Sequence, residues 1–177
     1  MRPSGWTLWS ITTLVLLGIA GIVAAESETK TVQVSATILP RLELSVSPET
    51  GQGIAFGDIE QPAPGDQTRR SVKVNVGVFS NLGRPYQVTQ TVRRPLTDDA
   101  GISLAQAQFE VTTSDAALGM VAASEPLAIV PGDTTTLYTS NSHGKSDAFN
   151  ADYTLTVTPT TPDGTFETEI VYTVTSL

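Results

Sequence analysis

The 177-residue chain contains no cysteine and one histidine, His143. Without cysteine it has no disulfide, no thiolate metal site and no residue to carry a lipoprotein anchor. A single imidazole also leaves zinc and other imidazole-rich centres short of ligands. Basic residues are scarce, 10 against 18 acidic ones. This charge balance argues against nucleic acid and anionic membranes as partners.

Long apolar runs are also missing after residue 25. Residues 1–25, in contrast, contain an almost uncharged apolar run from Trp6 to Val23, which follows Arg2. The run ends in Val23-Ala24-Ala25, which fits the small-residue site that signal peptidase needs. We therefore expect a signal peptide over 1–25, cleavage before Glu26, and a mature chain that is not inserted in a membrane. The alternative is an uncleaved anchor, because the run is long enough to span a bilayer. The expected location is extracellular or periplasmic, at the cell surface.

Residues 26–177 are dominated by apolar and polar positions in alternation, which is typical of half-buried strands. Two regular runs, 72–78 and 86–92, predict a central hairpin. Residues 153–157 and 166–174, with the turn signal Asp163-Gly164 between them, predict a closing hairpin. Shorter strands are predicted at 31–38, 42–46, 54–57, 107–113, 126–130 and 134–140, a possible helical turn within 115–123, and a long polar loop at 140–151.

This pattern, about nine to eleven short strands without a sustained helical period, predicts an all-β, immunoglobulin-like β-sandwich over 26–177. The inward positions of the strongest strands should form the core between the two sheets. The predicted core residues are Val74, Val76, Tyr86, Val88, Leu155, Val157, Ile170 and Tyr172.

Three stretches resemble families of secreted bacterial proteins. IAFGDIEQPAPGDQTRRSVKVNV (54–76) resembles the opening of bacterial secreted immunoglobulin-like domains. Together with ADYTLTVTPTTPDGTFETEIVYTV (151–174), it is similar to spore-coat-U-like proteins and pilus subunits. TKTVQVSATILPRLELSV (29–46) resembles the N-terminal extension and first strand of alternate pilus subunits. These families often carry a disulfide, which this chain lacks. Wall-binding β-domains of Gram-positive bacteria are a second resemblance.

The resemblance implies a non-enzymatic structural or adhesive surface protein of the pilus or coat-subunit kind. Its expected partners are other copies of itself or related subunits, and a secretion chaperone. The alternative function is a monomeric module that binds carbohydrate or cell wall, and a hydrolase is a third. No cofactor, nucleic acid partner or catalytic residue is expected.

Residues 30–38 are the candidate segment for assembly. They alternate regularly and are cut off from the next strand by Leu39-Pro40. Such a segment can add to an exposed sheet edge of a neighbour, or it can be an ordinary first strand of its own domain. The candidate strand-exchange residues are Val32, Val34, Ala36 and Ile38.

Other residues that could carry chemistry are scattered. His143 lies in a polar loop, which favours an exposed imidazole over a Ser–His–Asp arrangement. Asp147, Asn150 and Asp152 could supply oxygen ligands to Ca²⁺, but they lack the full ligand series and closing Glu of a calcium loop. Their preference for turns is the simpler interpretation, and no metal is expected.

The tyrosines are a further candidate site, because a platform of aromatic rings can stack on a sugar. Three of the four lie on the inward parity of predicted strands, which favours core packing instead. The four tyrosines are Tyr86, Tyr138, Tyr153 and Tyr172.

Overall fold

The computed structural model describes residues 30–105 and 108–177, so the predicted signal peptide at 1–25 lies outside the described residues. The chain divides into two units, Met1–Thr37 and Ile38–Leu177. Residues 30–37, the described part of the first unit, contain no strand and are exposed. In the described part of the chain, no helix is long and apolar enough to cross a membrane.

The unit Ile38–Leu177 consists of β-strands in two antiparallel sheets. One sheet has the order β1-β2-β8-β4-β6 and the other β5-β7-β3-β9. The strands are β1 Leu42–Pro48, β2 Thr68–Ser80, β3 Tyr86–Val92, β4 Phe109–Ser114, β5 Met120–Val121, β6 Leu127–Ala128, β7 Thr134–Thr139, β8 Asp147–Val157 and β9 Ile170–Ser176. The prediction of an all-β chain with two sheets is confirmed.

The core lies between the inward faces of the two sheets. Along β2, Val72, Val74, Val76 and Val78 are buried, while the residues between them are exposed or half-buried. Across the core, the Tyr138 and Phe149 rings stack with their centroids 5.1 Å apart. Each large apolar side chain buried in this way stabilises the fold by about 1.5–3 kcal/mol.

Six of the eight predicted core residues are buried. The exceptions are Ile170 and Tyr172 on β9, which are only half-buried although both pack against the core. Since their parity is correct, the difference lies in what covers them, and β9 is an edge strand.

Both predicted hairpins are wrong, because neither pair of strands lies in one sheet. β2 pairs with β1 and β8, whereas β3 pairs with β7 and β9. The connection at 81–85 carries the chain from one sheet to the other, and 158–169 does the same between β8 and β9. Alternation alone determines which face of a strand is apolar; it does not determine whether the next strand lies beside it or opposite it.

Four further local predictions are wrong. Residues 31–38 and 54–57 contain no strand, and the predicted polar loop at 140–151 contains the first part of β8. β8 extends back to Asp147 because β2 is long enough to pair with it as far as Val78. The segment 115–123 contains the two-residue strand β5 rather than a helical turn.

Candidate functional site

One side of the sandwich is bordered by two edge strands from different sheets. Among the described strands, β1 pairs with β2 alone and β9 with β3 alone. Leu42 is opposite Ser80, and Ser176 is opposite Tyr86. Because Ser80 and Tyr86 flank the same short connection, β1 begins at the end of the sandwich where β9 finishes. The two edge strands therefore run in opposite directions, each with one edge free.

Between these edges lies a cleft of about 1140 Å³, here called the β1–β9 cleft. Its lining includes the core residues Val74, Phe109, Leu155 and Val157, together with Val46 and Pro48 of β1 and Ile170 and Tyr172 of β9. Small-molecule pockets typically enclose about 300–1,000 Å³. The cleft is thus large enough for a segment of polypeptide, and its lining combines apolar core side chains with polar groups.

The rim of the cleft contains inward-facing apolar residues that are incompletely covered. Val46 of β1 is 36% exposed, although its pairing partner Val76 is fully buried. Ile170, Tyr172 and Val174 of β9 pack against the core and are half-buried. Inward apolar positions on both bordering strands are therefore partly exposed at this side of the sandwich.

The cleft lies towards the end where β1 finishes and β9 begins. There it is lined by 52–59 and 161–169, and Phe56 meets Phe109 edge-to-face with 6.1 Å between ring centroids. Four carboxylates line this end, which is here called the acidic mouth. They belong to Asp58, Asp163, Glu167 and Glu169, and Glu169 forms an ion pair with Arg93 at 3.3 Å.

Tyr172 is held in place by a buried chain of hydrogen bonds. The Tyr153 hydroxyl donates to Gln90 Oε1 and accepts from the Tyr172 hydroxyl, with 2.6 Å between the two phenolic oxygens. Burial raises the pKa of Tyr172 to about 12, although the bond to Tyr153 lowers it somewhat. Both hydroxyls therefore keep their protons at neutral pH, and the Tyr172 ring has a fixed orientation on the rim of the cleft.

Gln90 lies at the buried end of this row of hydrogen-bonded side chains. Its side chain is buried, and its Nε2 has no hydrogen-bond partner among the described residues. An unpaired amide donor in a core costs about 1–3 kcal/mol. The polar chain is thus maintained at a cost in stability, and it reaches the cleft only through Tyr172.

The predicted strand-exchange residues are exposed. Val32, Val34 and Ile38 are 82%, 89% and 84% exposed, and Ala36 is exposed as well. Their apolar side chains are therefore not buried in their own chain. Whether they enter a groove of another molecule stays a prediction.

Asn81 holds the chain at the point where this segment ends. Its side-chain amide accepts a hydrogen bond from the Arg41 N–H at 2.6 Å and donates to the Leu39 carbonyl at 3.0 Å. Its backbone N–H donates to the Arg41 carbonyl at 3.2 Å. These three bonds, here called the Asn81 clamp, fix residues 39–41 to the connection between β2 and β3.

The candidate calcium ligands do not converge. The Asp147 carboxylate accepts hydrogen bonds from the Leu118 N–H and the Tyr138 hydroxyl, both at 2.8 Å. Asn150 instead donates to Asp115 at 2.7 Å. The two side chains lie on opposite faces of β8, and Asp152 shares the parity of Asn150. Among residues 30–105 and 108–177, no cluster of three or more His, Cys, Asp or Glu could hold a metal ion.

The remaining candidates offer little for catalysis or sugar stacking. His143 is exposed, and its Nδ1 lies 3.2 Å from the hydroxyl of its neighbour Ser142. Tyr86 and Tyr153 are fully buried, as the inward parity of their strands predicts. Tyr138 is fully buried as well, although its strand is predicted with the neighbouring Leu137 inward, and Tyr172 is only half-buried. The three buried tyrosines have no free ring face for a ligand.

Sequence reasoning missed the cleft, the Asn81 clamp and the role of Asp147. The cleft depends on which strands are edges, and that follows from pairing between distant segments. One signal was present: Leu42, Leu44 and Val46 alternate like core residues on a short strand near the start of the domain. The clamp joins residues 40 positions apart, which no local pattern shows.

Scans of the chain against protein-family models and against curated proteins find no match.

Proposed function

We propose that this protein is a secreted subunit of a surface assembly, of the pilus or coat-subunit kind, that polymerises by β-strand exchange. The observation that carries the proposal is the β1–β9 cleft. It lies between two edge strands, and apolar core residues form part of its lining. Strand addition to a sheet edge gives affinity through backbone hydrogen bonds and specificity through alternate side chains.

The topology supports an immunoglobulin-like sandwich with one strand position unfilled. In that fold one sheet has the strand order A-B-E-D and the other contains C, F and G. The order β1-β2-β8-β4 corresponds to A-B-E-D, and the pair β3-β9 corresponds to C and F. The position of G is the free edge of β9, which borders the cleft.

The occupant that we propose is residues 32–38 of a second copy. This segment carries apolar side chains at every second position, and they are exposed in the single chain. Inserting it would cover the half-buried residues of β9 and pair its free edge. An open apolar edge is otherwise a site of uncontrolled aggregation, which is why a chaperone during export is part of the proposal.

The proposed direction of insertion is antiparallel to β9. It places the end near Arg41 at the acidic mouth, where β9 begins. Charge is a minor part of this choice, because Arg41 is already ion-paired with Glu43 at 2.6 Å and the other end carries Lys30 as well as Glu26 and Glu28. Antiparallel pairing is also slightly more stable per residue than parallel pairing.

The test compares two single-charge variants of the chain that begins at Glu26. Val34→Asp places a carboxylate on the apolar face of the inserted strand, and burying an unpaired charge is strongly unfavourable. Gln33→Asp adds the same charge to the opposite face and serves as the matched control. We expect the unaltered chain and Gln33→Asp to form concentration-dependent oligomers in analytical ultracentrifugation, and Val34→Asp to stay monomeric.

A synthetic peptide of residues 26–38 completes the test. Val34→Asp alters only the exposed segment, so the variant keeps an intact cleft and should bind the peptide in isothermal titration calorimetry. Strand exchange would be overturned if the unaltered chain stayed monomeric at high concentration and the Val34→Asp variant did not bind the peptide. A monomer that binds glycans instead would support the carbohydrate-binding alternative.

A further inference from the structure

We infer that the inserted strand has one register, in which Ala36 lies directly opposite Tyr172 of the acceptor. This inference rests on the proposed function and adds the residue that determines specificity. It follows from strand length, from parity and from the one rigid aromatic side chain on β9.

Length and parity select a small set of registers. β9 spans seven residues, Ile170–Ser176, and residues 32–38 match that length. Inward positions of β9 are Ile170, Tyr172 and Val174, and a shift by one residue would turn every apolar side chain of the inserted strand to the outside. The competing registers are therefore those in which the inserted strand is shifted along β9 by two residues.

The end-to-end register pairs the whole length of both strands. Ile38 lies opposite Ile170, Ala36 opposite Tyr172, and Val34 opposite Val174. A shift by two in one direction places Ile38 opposite Tyr172 and moves Val32 beyond Ser176. A shift in the other direction places Val34 opposite Tyr172 and Ile38 opposite Thr168, which lies before β9 begins.

Tyr172 discriminates among these registers by size. Its hydroxyl is bonded to the Tyr153 hydroxyl at 2.6 Å, so the ring cannot swing aside without breaking a buried hydrogen bond. Directly opposed residues have Cβ atoms about 4.5–5.5 Å apart. Ala36 is the one small residue of the alternating set and fits beside the ring, whereas Val34 or Ile38 would crowd it. Ile38 then lies opposite Ile170, which lines the cleft.

The experiment determines the register by disulfide formation between introduced cysteines. The chain has no native cysteine, so only the introduced pair can form a disulfide. The acceptor is the chain beginning at Glu26 that carries Val34→Asp and one cysteine on the outer face of β9: Val171→Cys, Thr173→Cys or Thr175→Cys. The probe is the peptide of residues 26–38 with Ser35→Cys. Opposed Cα atoms are about 4.5–5.5 Å apart, within disulfide range, whereas diagonal neighbours at about 7–8 Å are outside it.

We expect the peptide to form a disulfide with the Thr173→Cys acceptor, measured by intact mass under mild oxidation. Preferential reaction with Val171→Cys or with Thr175→Cys would establish one of the shifted registers and overturn the inference, while the proposed function would stand. Failure of the unaltered peptide to bind any acceptor would overturn the proposed function itself.

A second measurement tests the size rule. Ala36→Leu in the peptide should weaken binding to the Val34→Asp acceptor by about tenfold or more, because overpacking a rigid site is unfavourable. Val34→Leu, the matched enlargement opposite Val174, should change affinity by no more than about threefold. Equal losses for the two peptides, or a larger loss for Val34→Leu, would overturn the role assigned to Tyr172.

Discussion

At the scale of single residues, Asp147 shows how a polar side chain can organise one end of the sandwich. Its carboxylate accepts hydrogen bonds from the backbone N–H groups of Leu118 and Gly119, at 2.8 and 3.0 Å, and from the Tyr138 hydroxyl at 2.8 Å. It therefore ties β8 to the loop before β5 and to β7. Burial raises the pKa of this carboxyl, but these hydrogen bonds outweigh it and lower the pKa below the ordinary 3.8.

This lowered pKa predicts a dependence of stability on acid. A carboxyl with a lower pKa in the folded state stabilises the fold above its ordinary pKa, and that contribution is lost as the pH falls through the folded value. Asp147→Asn should reduce the free energy of unfolding at pH 7 by about 1–3 kcal/mol. Measured by urea unfolding, it should also weaken the loss of stability as the pH falls below 3.8, the ordinary pKa of the carboxyl.

The control for this prediction lies on the same strand. Asp152→Asn removes an equal charge from the outer face of β8, and we expect a change within about 0.5 kcal/mol. If the two variants lose the same stability at pH 7, the hydrogen bonds to Asp147 do not stabilise the fold as described.

The residue scale also shows the limit of reading this site from sequence. Asp147, Asn150 and Asp152 formed a plausible set of oxygen ligands only while 140–151 was predicted to be a loop. Once β8 begins at Asp147, alternation separates Asp147 from the other two. The partners of Asp147 are about 30 residues away at Leu118 and Gly119, and no local pattern connects them.

At the scale of elements, the sequence predicted the strands much better than their partners. β2 and β3 follow directly from β-branched and aromatic residues at alternate positions. β7 was found around Leu137, but the adjacent residues Leu137 and Tyr138 are both buried, where its pairing with β3 shifts register. β1 was also found, but its status as an edge was not. The prediction of two hairpins failed because a short connection fits either a hairpin or a crossing between sheets, and the choice is made by packing over the whole core.

The Asn81 clamp leads to a prediction at this scale. Asn81→Ala removes the side-chain hydrogen bonds to Leu39 and Arg41, each worth about 0.5–1.5 kcal/mol. Local opening around 39–41 should then be more frequent. We expect trypsin to cleave after Arg41 about tenfold faster than in the unaltered chain, because proteolysis follows the population of the open form. N-terminal sequencing of the fragment that starts at Leu42 measures this cleavage.

Asn75→Ala is the matched control, since Asn75 lies on the outer face of β2 and contacts only the Asn150 side chain among the side-chain bonds described. It should leave cleavage after Arg41 unchanged. The same rate in Asn81→Ala as in the unaltered chain would mean that Arg41 is held by its ion pair with Glu43, at 2.6 Å, rather than by the clamp.

At the scale of the whole molecule, the fold class was predictable because it depends on the strand pattern summed over the chain. The β1–β9 cleft was not, because it depends on which strands lie at the edges of the two sheets. Half-buried Ile170 and Tyr172 are the residues where the predicted core and the observed one differ, and both border this cleft.

Export is the prediction that belongs to this scale. The apolar run ending in Val23-Ala24-Ala25 leads us to expect that the exported protein begins at Glu26. N-terminal sequencing of protein secreted by an expressing cell measures this directly. Recovery of the intact N-terminus in a membrane fraction would instead identify residues 1–25 as an anchor.

The pairing of β1 with β2 has a mechanical consequence. Seven residue pairs, from Leu42↔Ser80 to Pro48↔Val74, connect the two strands, and the Asn81 clamp lies at the end where the chain enters. A pull on residue 39 along the axis of β1 loads all seven pairs together in shear, whereas a sideways pull would open them one after another. In a fibre of such subunits, tension along residues 30–38 would therefore enter each domain through the row of residue pairs between β1 and β2, and the pairs of this row would share the load.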